Sequence, residues 1–268
     1  MNEQARIKAA INGDKQALEA LIEGVRDDLY NLAVRMLWHP EDAEDATQEI
    51  LVKIITKLST FHGDSSFKTW AWRVAVNHLL NTRKRRSEQQ NMTFDAMAEE
   101  LDTFLAADTL PVESAVQRKL LIEEAKIGCM QAMLLCLKRE ERAAYVLGDI
   151  FGITDQEGAA VFEISPAAYR KRLSRARQRI RDFMNRKCGL YNADNPCRCS
   201  RRVQTNIVQG RINPDKMLFA QQGEDATVLA GIAQMDEIER SGALYRTHPI
   251  YRSPEVLHDV LAMVDNHE

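Results

Sequence analysis

Residues 152–180 read GITDQEGAAVFEISPAAYRKRLSRARQRI, and the reading of this stretch decides the fold. It holds two helix starts. Thr154, followed three residues later by Glu157, is a capping box: each side chain takes a backbone amide that a first helical turn leaves unpaired. Ser165 followed by Pro166 is a second start, a capping hydroxyl and then a ring whose φ is already helical. Two capped helices joined by the residues around Glu163 and Ile164 make a helix-turn-helix. On a helical wheel of about 100° per residue, Tyr169, Leu173, Ala176 and Ile180 share one narrow face. Lys171, Ser174, Arg175 and Gln178 lie opposite, flanked by Arg170 and Arg177 on one side and Arg172 and Arg179 on the other. The apolar stripe docks the helix on its partner. The basic outer face fits a duplex groove, where arginine reaches phosphates and pairs bidentately with guanine. A basic helix kept only for solubility would need neither the turn nor the caps.

The rest of the chain opposes this charge. Over 268 residues the formal net charge is −3, so the positive charge is local, and local charge governs contact with DNA. A hydrophobic content of 45% supports buried cores rather than disorder, and the length allows two or three small domains, or one large one. Glycine and proline are sparse and helix formers abundant, which predicts an all-α protein. No apolar run approaches the roughly 20 residues that cross a bilayer. The N-terminus MNEQARIKAAINGDKQ starts polar and lacks a secretory core. A cytoplasmic protein without membrane insertion is expected. The five cysteines, Cys129, Cys136, Cys188, Cys197 and Cys199, are odd in number, against a disulfide framework.

Upstream of the opening stretch, DDLYNLAVRMLW (27–38) and EDATQEILVKIITKL (44–58) carry helical periodicity. In the second, Leu51, Ile54, Ile55 and Leu58 form the stripe, Pro40 stands near the helix start, and acids fill its first turns, which suits the helix dipole. FHGDSSFKTW (61–70) is a loop entering another helix, with Asp64, Ser65 or Ser66 at the cap; that helix ends in the basic run Arg83, Lys84, Arg85, Arg86. From Glu88 to Glu113 the composition flips to acids with no lysine or arginine. This reads as an acidic linker, a solvated spacer, with a nucleic-acid mimic as the alternative. The chain is therefore expected to divide into residues 1–86, a linker at 87–115, a helix-turn-helix domain at 116–187, and an extension at 188–268. The extension begins with the loop-like CGLYNADNPCRCS (188–200) and carries a Ser-Pro-started helix, SPEVLHDVLAMV (253–264).

Two separated segments resemble one family. Residues 29–77, LYNLAVRMLWHPEDAEDATQEILVKIITKLSTFHGDSSFKTWAWRVAVN, look like region 2 of bacterial RNA polymerase sigma factors, and residues 152–180 resemble their region 4. Their order and the acidic linker match the extracytoplasmic-function (ECF) group, over roughly residues 5–187. The combination of EDATQE, F-x-GDSSF-x-TW and SRAR is specific; either half alone would be less so. The resemblance implies two helical domains, a region 2 bundle and a region 4 helix-turn-helix, with no catalysis of their own. It implies core RNA polymerase (the largest-subunit clamp, and the flap) and promoter DNA as partners, with an anti-sigma factor as a further candidate. Asp45, Gln48 and Glu49, on one face by i, i+3, i+4 spacing, would meet the polymerase clamp. Phe61, Asp64, Ser65 and Phe67 would shape a pocket for a flipped −10 base, approached by Asn77. Arg73, Asn77, Asn81 and Lys84 make a polar strip for the strand backbone. Arg170, Lys171, Ser174 and Arg175 match the −35 contact positions; Arg172, Arg177 and Arg179 would reach phosphates, and Ser165 would present its amide to one. The chain departs from the family pattern in three places: Glu163 where the turn usually has glycine, Gly158 where a large aliphatic is common, and Tyr169 where a smaller apolar residue is usual.

The extension is the part such proteins usually lack. Cys188, Cys197 and Cys199, spaced C-x8-C-x-C, can bind zinc or copper(I) or form a redox switch. His248 and His258 are candidate fourth ligands, while Cys129 and Cys136, seven apart on an apolar helix, read as core. No cofactor is otherwise required. Two rival readings follow from the same residues: a helix-turn-helix regulator that acts without polymerase, and a metal- or thiol-responsive protein centred on the extension.

Overall fold

The computed structural model describes residues 2–81, 92–103, 114–220 and 237–255, and among these every regular element is helical. In chain order they are α1 (Glu3–Ile11), α2 (Lys15–Leu37), α3 (Pro40–Lys57), α4 (Phe67–Asn81), α5 (Phe94–Thr103), α6 (Ala115–Leu135), α7 (Arg139–Tyr145), α8 (Asp155–Phe162), α9 (Pro166–Lys187), α10 (Cys199–Val208) and α11 (Glu237–Arg246). A single π turn, Val146–Ile150, follows α7. The all-α expectation holds. Lys84 with the rest of the basic run, His258, and the stripe of the 253–264 helix lie outside the described residues.

The starts of these helices follow from short-range chemistry. Asn2 caps α1 and Asp14 caps α2, each accepting from an amide three residues on, at 2.8 and 3.1 Å. Of the three candidates before α4, Ser66 is the cap: its Oγ accepts from the Thr69 amide at 3.1 Å. Pro40 opens α3 with Glu41 and Asp42 in the first turn. Such caps contribute about 1 kcal/mol each.

The chain divides into two compact units. The first comprises residues Met1–Gln89, Val146–Arg172 and Ile250–Glu268. Its core is the α2–α3–α4 bundle, where Leu29, Leu32, Ala33, Ile50, Leu51, Ile54 and Leu79 are buried. α8 packs on α4, and Trp72 of α4 sits 6.2 Å from the Phe151 ring. The extension contributes residues 250–253. Asn31 of α2 donates to the Tyr251 carbonyl at 2.7 Å and accepts from the Tyr251 amide at 3.0 Å. One oxygen of Asp27 accepts from both the Ser253 amide (3.0 Å) and its hydroxyl (2.5 Å), while Arg26 donates to that hydroxyl at 2.9 Å.

The second unit comprises Gln90–Tyr145 and Leu173–Pro249. Leu121 and Ala125 of α6 share a core with Val203 and Ile212 of the extension. The buried carboxylate of Glu124 accepts from three successive amides, Leu218, Phe219 and Ala220, at 2.8, 2.9 and 2.7 Å. Tyr245 donates from its hydroxyl to the Met130 carbonyl at 2.8 Å. The stretch expected as an acidic linker contains α5, whose Met97 and Leu101 are buried. Two of its four acids are engaged: Glu100 meets Arg202 and Arg211 at 2.6 Å, and Asp102 meets Lys187 at 2.6 Å. The described part of the linker is thus an amphipathic helix, with Glu100 and Asp102 paired to basic residues.

Candidate nucleic-acid interface and thiol cluster

The helix-turn-helix forms as its caps dictate. The Thr154 hydroxyl accepts from the Glu157 amide at 3.2 Å, and the Glu157 carboxylate accepts from the Thr154 amide at 2.8 Å. Ser165 caps α9 by accepting from the Ala168 amide at 3.2 Å. Glu163 ends α8 in the left-handed region, φ 54° and ψ 42°, the conformation for which glycine is usual. Tyr169, Leu173, Ala176 and Ile180 are all buried. Gly158 and Tyr169 explain one another: a Cβ on Gly158 would overlap the Tyr169 ring. The small residue on α8 makes room for the large one on α9.

The exposed face of α9 carries Arg170, Lys171, Ser174, Arg175 and Arg179, with Arg172 and Arg177 half-buried and Ser165 exposed at its start. Several of these cations already have partners. Arg170 lies 3.5 Å from Asp155. Arg175 and Arg179 lie 3.9 and 3.3 Å from the buried Glu141 of α7. The guanidinium of Arg172 sits over the Phe162 ring at 4.9 Å.

On the N-terminal helices, Asp45 and Glu49 are exposed and Gln48 is half-buried on α3, while Ala46, Thr47 and Ile50 face the core. Glu49 lies 3.6 Å from Nε2 of the buried His78, whose Nδ1 is 2.5 Å from Lys53. In the loop before α4, Gly63 takes φ 82°, open to glycine without steric cost. Asp64 is exposed and Ser65 half-buried. Phe67 is buried, and with Trp70 it holds the half-buried Phe61 in edge contacts at 6.1 and 5.6 Å. Asn77 and Asn81 are exposed one turn apart, linked by a bond from the Asn81 side-chain Nδ2 to the Asn77 backbone carbonyl at 2.8 Å. Arg73, one turn before Asn77, is committed to α8: its Nε donates to the Ala160 carbonyl at 2.9 Å, and its Nη1 lies 3.7 Å from Glu163.

The cysteines of the extension do come together, and a fourth joins them. Cys188 past α9, Cys197, Cys199 at the start of α10, and Cys129 of α6 line one cavity, walled by Phe183 and Arg202. All are free thiols. Burial pushes the Cys129 thiol well up, and the neighbouring Cys188, Cys199 and Cys197 push it further. Cys188, Cys197 and Cys199 are raised as well, by burial first. Cys136 stands apart, donating to the Ala132 carbonyl at 3.4 Å, with burial pushing it up to about 12. His248 is not among the cavity residues; it packs against Met130 and Tyr245. Among the described residues no group of three or more His, Cys, Asp or Glu side chains is arranged to hold a metal ion. Sequence spacing missed Cys129 because nothing local links position 129 to 188–199. The one available signal was that it is a cysteine.

Two segments match described families: residues 21–89 match Sigma-70 region 2, and residues 127–180 match Sigma-70, region 4. The ECF RNA polymerase sigma factor SigE of Mycolicibacterium smegmatis is 31% identical over 176 residues, covering 64% of this chain and 64% of its own length. The RNA polymerase sigma-H factor of Pseudomonas aeruginosa is 28% identical over 181 residues, covering 66% of this chain and 91% of its own. The ECF RNA polymerase sigma-E factor of Escherichia coli is 27% identical over 180 residues, covering 67% and 93%. Among solved structures, CnrH in complex with the cytosolic domain of CnrY is similar with a TM-score of 0.49 and 22% identity, over 68% of this chain and 97% of that one. Residues 181–268 lie beyond both family matches. No described helix is long and apolar enough to cross a membrane.

Proposed function

Because this chain belongs to the ECF group of the sigma-70 family, the promoter-directing subunits of RNA polymerase, we propose that it binds core polymerase through α3, reads the −35 duplex through α9, and melts the −10 element through α4 and the loop before it. Asp45, Gln48 and Glu49 are the polymerase-facing residues. Arg170, Lys171, Ser174 and Arg175 contact −35 bases or their phosphates, with Ser165, Arg172, Arg177 and Arg179 on the backbone. Phe61, Asp64, Ser65, Phe67, Asn77, Asn81 and Lys84 serve the −10 strand, while Arg73, expected in the same strip, is held by the Ala160 carbonyl of α8 and positions α4 instead. Phe67 does so from the core, by holding Phe61 in place. The observation that carries the reading is the exposed basic face of α9, backed by a fully buried stripe and preceded by a capped turn, in a chain that also matches region 2. The protein acts in the cytoplasm, has no reaction of its own, and leaves nucleotidyl transfer to the polymerase. In the extension, Cys188, Cys197 and Cys199 form a thiol site for zinc or copper that tunes activity. Regulation from within the chain requires no separate anti-sigma factor.

Run-off transcription with purified core polymerase tests the reading. Initiation from a specific promoter is expected only when the protein is present. Glu49→Arg is expected to weaken core binding at least tenfold, because it puts a cation where the clamp meets a carboxylate. Arg175→Ala is expected to leave core binding intact and lose −35 dependence, by about 1–3 kcal/mol of base discrimination. Duplex binding without polymerase, equal in strength and specificity to that with it, would favour an ordinary regulator instead.

A further inference from the structure

We propose that Cys129, Cys188, Cys197 and Cys199 together form a four-thiolate site for one thiophilic d10 cation, zinc(II) or copper(I), in which α6 supplies a ligand to the three from the extension. The proposal rests on the reading of the extension's cysteines as a metal site and deepens it by naming the fourth ligand and the class of ion. Four of the chain's cysteines line one cavity, although they come from three separate segments. Cys136, the C-cap residue seven positions after Cys129, does not line that cavity.

The local backbone is shaped for this convergence. A Cβ at Gly189 would overlap the Cys197 carbonyl oxygen and the Arg198 guanidinium, so only glycine lets the Cys188 turn lie against the Cys197 segment. Arg198 locks the loop between them, donating to the Ala193 and Cys197 carbonyls at 2.9 Å. The rest of the wall includes Leu101, Met133 and Phe183, which offer no oxygen ligand. That lining disfavours calcium and magnesium and suits a soft ion. In the described side-chain positions the four do not form a metal-holding group, so binding an ion requires each sulfur to turn about its Cα–Cβ bond toward the cavity they share. As each sulfur–metal bond forms, the thiol gives its proton to solvent. The resulting cluster is anionic, and Arg202 on the cavity wall, with Arg198 and Arg201 near Cys197 and Lys126 near Cys199, offsets that charge. An occupied site would tie Cys129, on the part of α6 that lies within the region 4 match, directly to the extension.

The test uses the full chain, reduced and stripped with chelator, then loaded separately with zinc(II) and copper(I) and desalted. Elemental analysis is expected to find one ion per chain in at least one arm, which identifies the ion. Alkylation followed by mass spectrometry is expected to show Cys129, Cys188, Cys197 and Cys199 protected by that ion, with Cys136 labelled at the same rate with and without it. Cys129→Ser is expected to lose at least tenfold in affinity against a competing chelator, and Cys136→Ser to lose nothing. The alkylation pattern of the wild-type chain decides the matter even if Cys129→Ser misfolds. If the loaded chain alkylates at Cys129 as fast as the stripped chain, the fourth ligand is wrong while the three-cysteine site stands. If neither ion is retained, both fall.

Discussion

Gly158 and Tyr169 look like two separate departures from the family pattern, yet they form one exchange of volume. Gly158 lowers the helix propensity of α8 by about 1 kcal/mol, and the Tyr169 ring fills the space that its missing side chain leaves. Gly158→Ala is therefore expected to destabilise the protein by about 1–3 kcal/mol through overpacking, despite the better propensity. Adding Tyr169→Leu is expected to restore most of the loss, and urea denaturation of the two single variants and the double variant checks the coupling. Glu163 is a different case. It holds the left-handed conformation with a Cβ present, at a cost of about 1–2 kcal/mol. Its contact with Arg73 at 3.7 Å is largely exposed and worth little. Glu163→Gly is expected to stabilise by about 1 kcal/mol in the same denaturation assay.

Among the elements, α5 and α6 hold the extension by charge as well as by apolar contact. Glu124 on α6 satisfies three consecutive amides at 218–220, the geometry of an anion in a nest of N–H donors. Glu124→Ala is expected to cost about 3 kcal/mol and to speed hydrogen exchange at Leu218, Phe219 and Ala220 before other amides. On α5, burial alone would raise the Glu100 carboxyl, but Arg211 and Arg202 outweigh it and hold it below its ordinary value. A depressed carboxyl contributes stability that is present above its unfolded value and is lost as pH falls through the folded one. Thermal melts are thus expected to show a loss of stability on the acid side of the usual carboxylate range, and Arg211→Gln is expected to make that loss smaller. The acidic run was legible as charge, because composition is local information. That its charges meet Arg202 and Arg211 was not, since Glu100 and Arg211 are 111 positions apart.

At the scale of the whole molecule, the extension is a structural part of the chain and not an appendage. Val203 and Ile212 complete a core begun by Leu121 and Ala125, and Tyr251 bonds to Asn31 across 220 positions. Deleting residues 188–268 is expected to expose the apolar face of α6, lower the melting temperature and promote aggregation, which light scattering during a thermal ramp checks. Asn31→Ala keeps the extension but removes the reciprocal pair with Tyr251, and is expected to speed proteolysis near residues 250–253. By itself the sequence determined the all-α class, the two capped helices of the helix-turn-helix, the buried stripe and basic face of α9, and the two family segments. Each of these depends on residues within a turn or two of one another, and periodicity and capping act at that range. Only the tertiary structure decided that Gly158 makes room for Tyr169, that Arg73 is spent on α8, and that Cys129 belongs with the three cysteines of the extension. Those pairings are chosen by packing between segments distant in the chain, where sequence spacing carries no distance.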